Sequence, residues 1–442
     1  MNRCRYVSLD APDRPLAPWI ALSLLVALAT ACGFPRPPDI GDDATPAGCS
    51  RDQDCGGATP FCVDTACAAC RDGTSCPATR PVCDMVSHDC RTCIKDGECD
   101  SGACDLAAGR CVDQAAILYA SPSGGSTDPC TKTSPCSLRR ASGLVDTGTS
   151  YIVLQPGRYS GGASFDGKKA TIVGHNAILD IIDTTSIVNI FASMIDMRDT
   201  NLEDHLDTSG MDNIPPGIQL LESTFTVDNM QSNTIKIDAI SVQPNGNGML
   251  VIGHSHFTGP ALSGPQLIID SCVFHNPALD GFSRDPLNVD GSIQMSNSVL
   301  IVDSTNRPTF GVISFTTTPQ TSRITHNTFA GGSGVMCSAA TGSIWSFDSN
   351  IFYNVPTIAV GGGCQYQYSL SAPVTGLAGT GNITGDPMFH DVANGDFHLK
   401  PGSAAIDVAN PADVLTGHDF DGTPRPQGAR SDIGAFEYIP TR

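Results

Sequence analysis

The sequence predicts an all-β chain: a parallel β-helix, in which successive segments stack as rungs, behind a small disulfide-rich repeat module. Three observations predict it. The 442 residues include 45 glycines and 31 prolines but only 16% charged residues, a composition of turns rather than helices. Twelve of the 19 cysteines fall between Cys49 and Cys111 in a recurring spacing. Six copies of one strand-corner-strand pattern occur between Ile218 and Phe352.

In chain order, Arg3 and Arg5 precede an uncharged stretch from Leu16 to Ala31. Its apolar part, Trp19 to Ala29, is too short to span a bilayer comfortably, so residues 1–31 read as a signal peptide. The stretch ends Leu28-Ala29-Thr30-Ala31-Cys32, which resembles a bacterial lipobox with Ala29 in place of the usual aliphatic residue. The resemblance implies lipidation at Cys32; ordinary secretion with a spare thiol is the alternative. Residues 32–48 then form a lipid-anchored, Pro-rich linker. No later segment is long and apolar enough to cross a membrane, so the expected partner is a membrane held through lipid alone. Gly33 is not the aspartate that retains lipoproteins at the inner membrane of enteric bacteria. The expected address is an exported one, at the outer membrane or cell surface.

The cysteine block, residues 49–113, holds three tandem copies: Cys49, Cys55, Cys62, Cys67; Cys70, Cys76, Cys83, Cys90; and Cys93, Cys99, Cys104, Cys111. So little aliphatic content cannot close a core, and cross-links in an oxidising compartment must supply the stability. Pairing within each copy is expected, although spacing alone leaves the connectivity open. Zinc is the rival reading, because Cys67-x-x-Cys70 and Cys90-x-x-Cys93 have metal-like spacing, but both pairs straddle repeat boundaries. The block resembles cysteine-rich repeats that follow the lipid anchor in bacterial surface proteins.

From residue 114 the texture changes. Ile117-Leu118-Tyr119-Ala120 leads to Cys130 and Cys136, a pair expected to staple the intervening loop, then to Leu138–Val145 and to Tyr151-Ile152-Val153-Leu154-Gln155-Pro156-Gly157-Arg158-Tyr159. These segments resemble the opening turns of pectate-lyase-like β-helix proteins: a first strand, a short capping helix near Leu138 to Val145, and a strand ending in a Pro-Gly-x-Tyr turn. The resemblance implies a right-handed, single-stranded parallel β-helix over residues 114–380.

The internal repeat points the same way. Counting back from Phe225, Phe257, Phe274, Leu300, Phe329 and Phe352, the fifth residue is Leu220, Ile252, Ile269, Met295, Ile324 or Phe347, and the seventh is Ile218, Leu250, Leu267, Ile293, Ser322 or Trp345. Strand alternation puts these on one face and the sixth and fourth residues on the other. The second residue, Ser223, Ser255, Cys272, Ser298, Asn327 or Asn350, turns the corner and pairs with its neighbours in a ladder. Cys272 therefore reads as a small corner residue.

Residues 381–442 contain Gly385-Asp386-Pro387-Met388-Phe389, Gly395-Asp396-Phe397-His398-Leu399, Asp419-Phe420-Asp421-Gly422-Thr423-Pro424-Arg425-Pro426 and Asp432-Ile433-Gly434-Ala435-Phe436-Glu437-Tyr438. This ordered signature resembles the choice-of-anchor Q module that closes many bacterial β-helix proteins, and it implies a cap over the last rung. Its aspartates read as structural. Calcium at Asp419-x-Asp421-Gly422 is the one metal the pattern admits; no other metal or cofactor is expected.

With 45 Asp plus Glu against 25 Lys plus Arg, the net charge of −20 argues against nucleic acid. No HExxH, GxSxG, P-loop or dinucleotide fingerprint is present. Two readings remain for an expected monomer. In the favoured one the β-helix displays a non-catalytic surface for carbohydrate or a partner, contacted through the outward residues Asp270, Gln294, Arg323 and Asp348 and through His326, in the third position before Phe329. In the other the same face carries a polysaccharide lyase or glycoside hydrolase, with Arg323 and Asp348 one rung apart.

Overall fold

The computed structural model describes residues 48–440 apart from 183–185, 206–215, 235–238, 244–247, 260–261, 278–286, 304–309, 314–320, 339–341, 359–362, 374–375 and 413–416. The stretch read as a signal peptide, Cys32 and residues 33–47 of the expected linker lie outside the described residues. Among those described, no helix is long and apolar enough to cross a membrane. The chain divides into two compact units at Arg71 and Asp72, inside the stretch read as one cysteine module.

In the first unit, Phe61–Val63 and Ala66–Ala68 form an antiparallel pair. Disulfides Cys49–Cys62 and Cys55–Cys67 cross-link it. In the second unit the same alternating connectivity joins Cys76 to Cys90, Cys93 to Cys104 and Cys99 to Cys111. Cys70 and Cys83 are likewise disulfide-bonded. The thiols with zinc-like spacing are thus consumed as disulfides.

The rest of the second unit is a parallel β-helix with three faces, each a stack of parallel strands in register. On the first face Val188–Phe191, Ile218–Leu221 and Ile240–Val242 pair in sequence. On the second, Thr224–Asp228, Met249–Gly253 and the end of Leu262–Asp270 do so. On the third, His256–Thr258, Val273–Asn276 and Val299–Val302 follow one another. The strands alternate as the pattern requires: all eighteen residues predicted to point inward, from Ile218 to Phe352, are buried. Phe257 stacks on Phe274 at 5.3 Å and Phe329 on Phe352 at 5.1 Å, so each rung closes the one below with an aromatic floor. Burial of one such ring contributes roughly 1.5–3 kcal/mol.

The corner ladder forms as a chain of N–H donors and side-chain oxygens. Ser298 N–H donates to Asn327 Oδ1 at 2.9 Å, Asn327 N–H to Asn350 Oδ1 at 2.8 Å, and Asn350 N–H to Ser369 Oγ at 3.1 Å. Cys272 takes the same place, with its N–H on Ser298 Oγ at 3.1 Å and burial pushing its thiol up to about 12. Each ladder residue follows one in the left-handed region, such as His254, Ser271, Asn297, His326 or Ser349.

One repeat copy needs correction. Phe225 stacks on Leu250, and Leu220 on Val242, so the Leu220 to Phe225 copy spans the first corner while the other five span the second. Both corners are built alike, with Glu222 left-handed before Ser223 as Asn229 is before Met230, and the local pattern cannot tell them apart.

The amino end is closed by a helix, Leu138–Leu144, which buries Leu138, Ala141 and Ser142. Ser137 caps it by accepting from Arg140 N–H, and the Cys130–Cys136 disulfide fixes its approach. The third cysteine repeat lies against the flank: Ala103 packs with Ile117, Tyr119, Val153 and Val173.

The C-terminal stretch does not cap the last rung as expected. Phe389, Phe397, Leu399, Ile433, Ala435 and Phe436 instead pack on Val299, Ala330, Ile351 and Leu370. Those four alternate with the inward Leu300, Phe329 and Phe352, so they form the outer side of the third face. An outer row this apolar would otherwise meet water, and covering it removes that apolar surface.

Candidate functional site

The site is the outer side of the second face. Strand pairing aligns Tyr151, Thr171, Asp196 and Thr226 at the amino end. The row continues through Val251, Ile268, Gln294, Arg323, Ser346 and Gln365. Ten rungs at about 4.8 Å give a row roughly 43 Å long. Its middle is apolar and its ends are hydroxyl, amide or charged.

The row opens into a cleft of about 990 Å³ lined by Tyr151, Thr171, Asp196, Thr226, Lys168 and Lys169 on the β-helix and by Asp105 of the third cysteine repeat. Tyr151 is half-buried, and burial together with the Asp105 charge raises its phenol above the ordinary value. Lys168 Nζ donates to the Val145 carbonyl at 2.8 Å, while Lys169 is exposed. Asp146, also on the wall, accepts from the backbone of Gly148 and Thr149, and those bonds hold it below the usual carboxylate range.

Asp105 reaches the wall because the third repeat is clamped to the sheet. Arg198 Nε donates to Asp196 at 2.8 Å and its Nη1 to the Cys104 carbonyl at 3.3 Å, with Asp96 3.6 Å away. Asp96 is buried and accepts from Cys104 N–H at 2.7 Å, and desolvation raises its pKa. Gly102 carries a left-handed φ of 78°, and a β-carbon there would come within 3.1 Å of His175 and 3.3 Å of Val153, so glycine lets the repeat sit this close without strain.

The five predicted contact residues separate into three sets. Gln294 and Arg323 are adjacent in the row and exposed, and among the described residues Arg323 makes no ion pair. Asp270 and Asp348 lie in the next row, three rungs apart. Asp270 accepts from Ser296 Oγ at 2.6 Å and Asn297 Nδ2 at 3.0 Å, and Asp348 from Gln367 at 2.8 Å and Asn410 at 2.7 Å. His326 is corrected: it is fully buried, with Nδ1 3.0 Å from the Asp432 carbonyl, and cannot touch a glycan. The sequence placed it one residue before the corner residue Asn327 but held no sign that the C-terminal stretch covers this position.

Sequence reasoning missed Tyr151, Asp196 and the Asp105 wall. The alternation of Tyr151-Ile152-Val153-Leu154 exposes Tyr151 in principle, but the cleft depends on a repeat folding back from residue 105. Nor was Cys337–Cys364 anticipated, a bond between two faces across 27 residues.

In the C-terminal stretch Asp419 takes the backbone N–H of Asp421, Thr423 and Glu437, and Asp421 turns to His398 at 2.7 Å. Among the described residues, the three-ligand groups of metal-binding type are cysteines held in disulfides.

These features define the class: a parallel β-helix protein flanked by a disulfide-rich repeat and a folded C-terminal stretch. Among solved structures the chain is similar to pectate lyase Pel9A, at 13% identity and a TM-score of 0.50, over 73% of this chain and 96% of that one. It is also similar to a pectin methylesterase in complex with a hexasaccharide, at 10% identity and a TM-score of 0.37, over 62% of this chain and 94% of that one. No family model and no curated protein matches the chain. At 13% identity the likeness to pectate lyase Pel9A establishes the fold alone.

Proposed function

We propose that this chain is an exported surface lipoprotein, anchored through Cys32, that binds carbohydrate along the outer side of its second face without cleaving it. One observation carries the reading: an extended row of half-buried hydroxyl and apolar side chains and exposed amides that opens into a cleft lined by Tyr151. Ring faces of a sugar pack on aromatic and aliphatic carbon while its hydroxyls need neutral donors and acceptors, and the row supplies both.

The non-catalytic part rests on how the charged groups are used. Acid-base chemistry needs two titratable groups converging on one point. Here Asp196 is spent on Arg198, Asp270 on Ser296 and Asn297, and Asp348 on Gln367 and Asn410. The anchor rests on the lipobox-like end of the leader and the Pro-rich segment after it.

Binding to immobilised polysaccharides, with and without a chelator, tests the proposal. Tyr151→Ala is expected to weaken binding at least tenfold, about 1.4 kcal/mol, with no product formed and no effect of chelator. Unsaturated or hydrolysed ends that disappear in Arg323→Ala would establish the enzyme instead. Labelled palmitate should enter the wild-type protein in cells and not Cys32→Ala.

A further inference from the structure

Resting on the carbohydrate reading above, we infer that the ligand of this face is an uncharged polysaccharide and not a polyuronate. A polyuronate carries a carboxylate on each ring, so a surface that holds it must meet it repeatedly with cations, or with carboxylates arranged to share metal ions. The second face does neither. Along the ten positions of its central row the charged residues are Asp196, neutralised by Arg198, and Arg323. The remaining eight are Tyr151, Thr171, Thr226, Val251, Ile268, Gln294, Ser346 and Gln365.

The flanking charges worsen the case for a polyanion. The next row places Asp228, Asp270 and Asp348 beside the path. In the cleft, Lys168 and Lys169 share the lining with Asp105, Asp146 and Asp196, and with Asp196 paired to Arg198 the two lysines are matched by two carboxylates, which leaves no excess of cations. The chain as a whole carries −20, which repels a polyanion before contact. Neutral sugars suffer none of this. Thr171 and Thr226 offer hydroxyls, Gln294 and Gln365 offer amides, and Val251 and Ile268 offer a flat apolar stretch for ring carbons between the two polar ends.

The test compares immobilised neutral polymers (β-glucan, xylan, mannan and chitin oligomers) with polygalacturonate and alginate, each at low and high salt and with and without calcium. Binding at least tenfold tighter to one neutral polymer, little changed by salt and weakened in both Tyr151→Ala and Gln294→Ala, is the expected result. Thr226→Lys with Ser346→Lys should bring measurable salt-sensitive binding to polygalacturonate that the wild-type protein lacks. Preference of the wild-type protein for either polyuronate, in any calcium condition, overturns the inference and leaves the carbohydrate reading standing. Binding to none of these polymers overturns both.

Discussion

The third cysteine repeat and the C-terminal stretch meet the same problem with opposite chemistry. Both lie against the outside of the β-helix, and both approach it through a left-handed glycine where a β-carbon would crowd its neighbours: Gly102 against His175 and Val153, Gly434 against Ile351. The repeat, with a core of little more than Val82 and three cysteines, is held together covalently. The C-terminal stretch has no disulfide among its described residues and is organised around buried charge. Arg425 donates to Glu437 at 2.8 Å and to the carbonyls of His418, Asp432 and Gly434, while Asp432 accepts from Asp407 and Tyr438 N–H. A segment too small for a core of its own can be ordered by cross-links or by a fully satisfied polar network, and this chain uses one at each end.

The largest expected effect separates the two. Arg425→Ala leaves Glu437 buried without its counter-charge and three carbonyls without a donor, a loss of about 3–5 kcal/mol that should free residues 386–438. Limited proteolysis should then cut there first while the far-ultraviolet signal of the β-helix persists. If the variant resists protease like the wild type, the network is not what orders this stretch.

Next is the repeat. Replacing Cys93 and Cys104 by serine opens a bond between residues 11 apart, at a cost of about 2–4 kcal/mol. Amide exchange in residues 93–111 should accelerate and the Asp105 wall should loosen, so glycan binding falls while the C-terminal stretch keeps its protection. Unchanged exchange would mean that Arg198 alone clamps the repeat.

The smallest effect is a pH dependence of the C-terminal stretch. His398 is held between Asp396 at 2.6 Å and Asp421 at 2.7 Å, and these carboxylates raise it above 6.5 despite partial burial. Its contribution is fully present below its ordinary pKa and lost as pH rises through the folded value. Burial raises Asp432 from 3.8 to about 7, so the folded state keeps a proton that the unfolded chain releases, and stability again falls as pH climbs between those values. Exchange rates in residues 386–438, corrected for intrinsic chemistry, should report less protection at about pH 8 than at about pH 6, and His398→Asn should flatten the upper part of that change. Asp96 is raised in the same sense, but the repeat around it stays cross-linked and its protection should vary less.

Much of the fold was legible because a rung is a local object. Leu267, Ile269, Cys272 and Phe274 lie within eight residues, and their spacing alone states which side chains point inward and where the chain turns. The cysteine repeats were legible for the same reason, whereas the helix at Leu138–Leu144 was expected only from the resemblance of the opening turns to those of other β-helix proteins. The site was legible only in part. Gln294 and Arg323 fall on the outer row by alternation, whereas His326 looks equally available until the Asp432 carbonyl is found against it.

What the sequence determined by itself is therefore the periodic part: stacked rungs, their apolar interior, their small-residue corners and the cross-linked character of the cysteine block. Only the tertiary structure decided which corner each copy turns, which outer rows are covered, and that Asp105 joins Tyr151 in one cleft. The division has a physical cause. Alternation and turn preference act between neighbours along the chain, but coverage of a β-helix flank depends on segments a hundred residues apart, as with His326 and Asp432, settling on whichever outer row is most apolar.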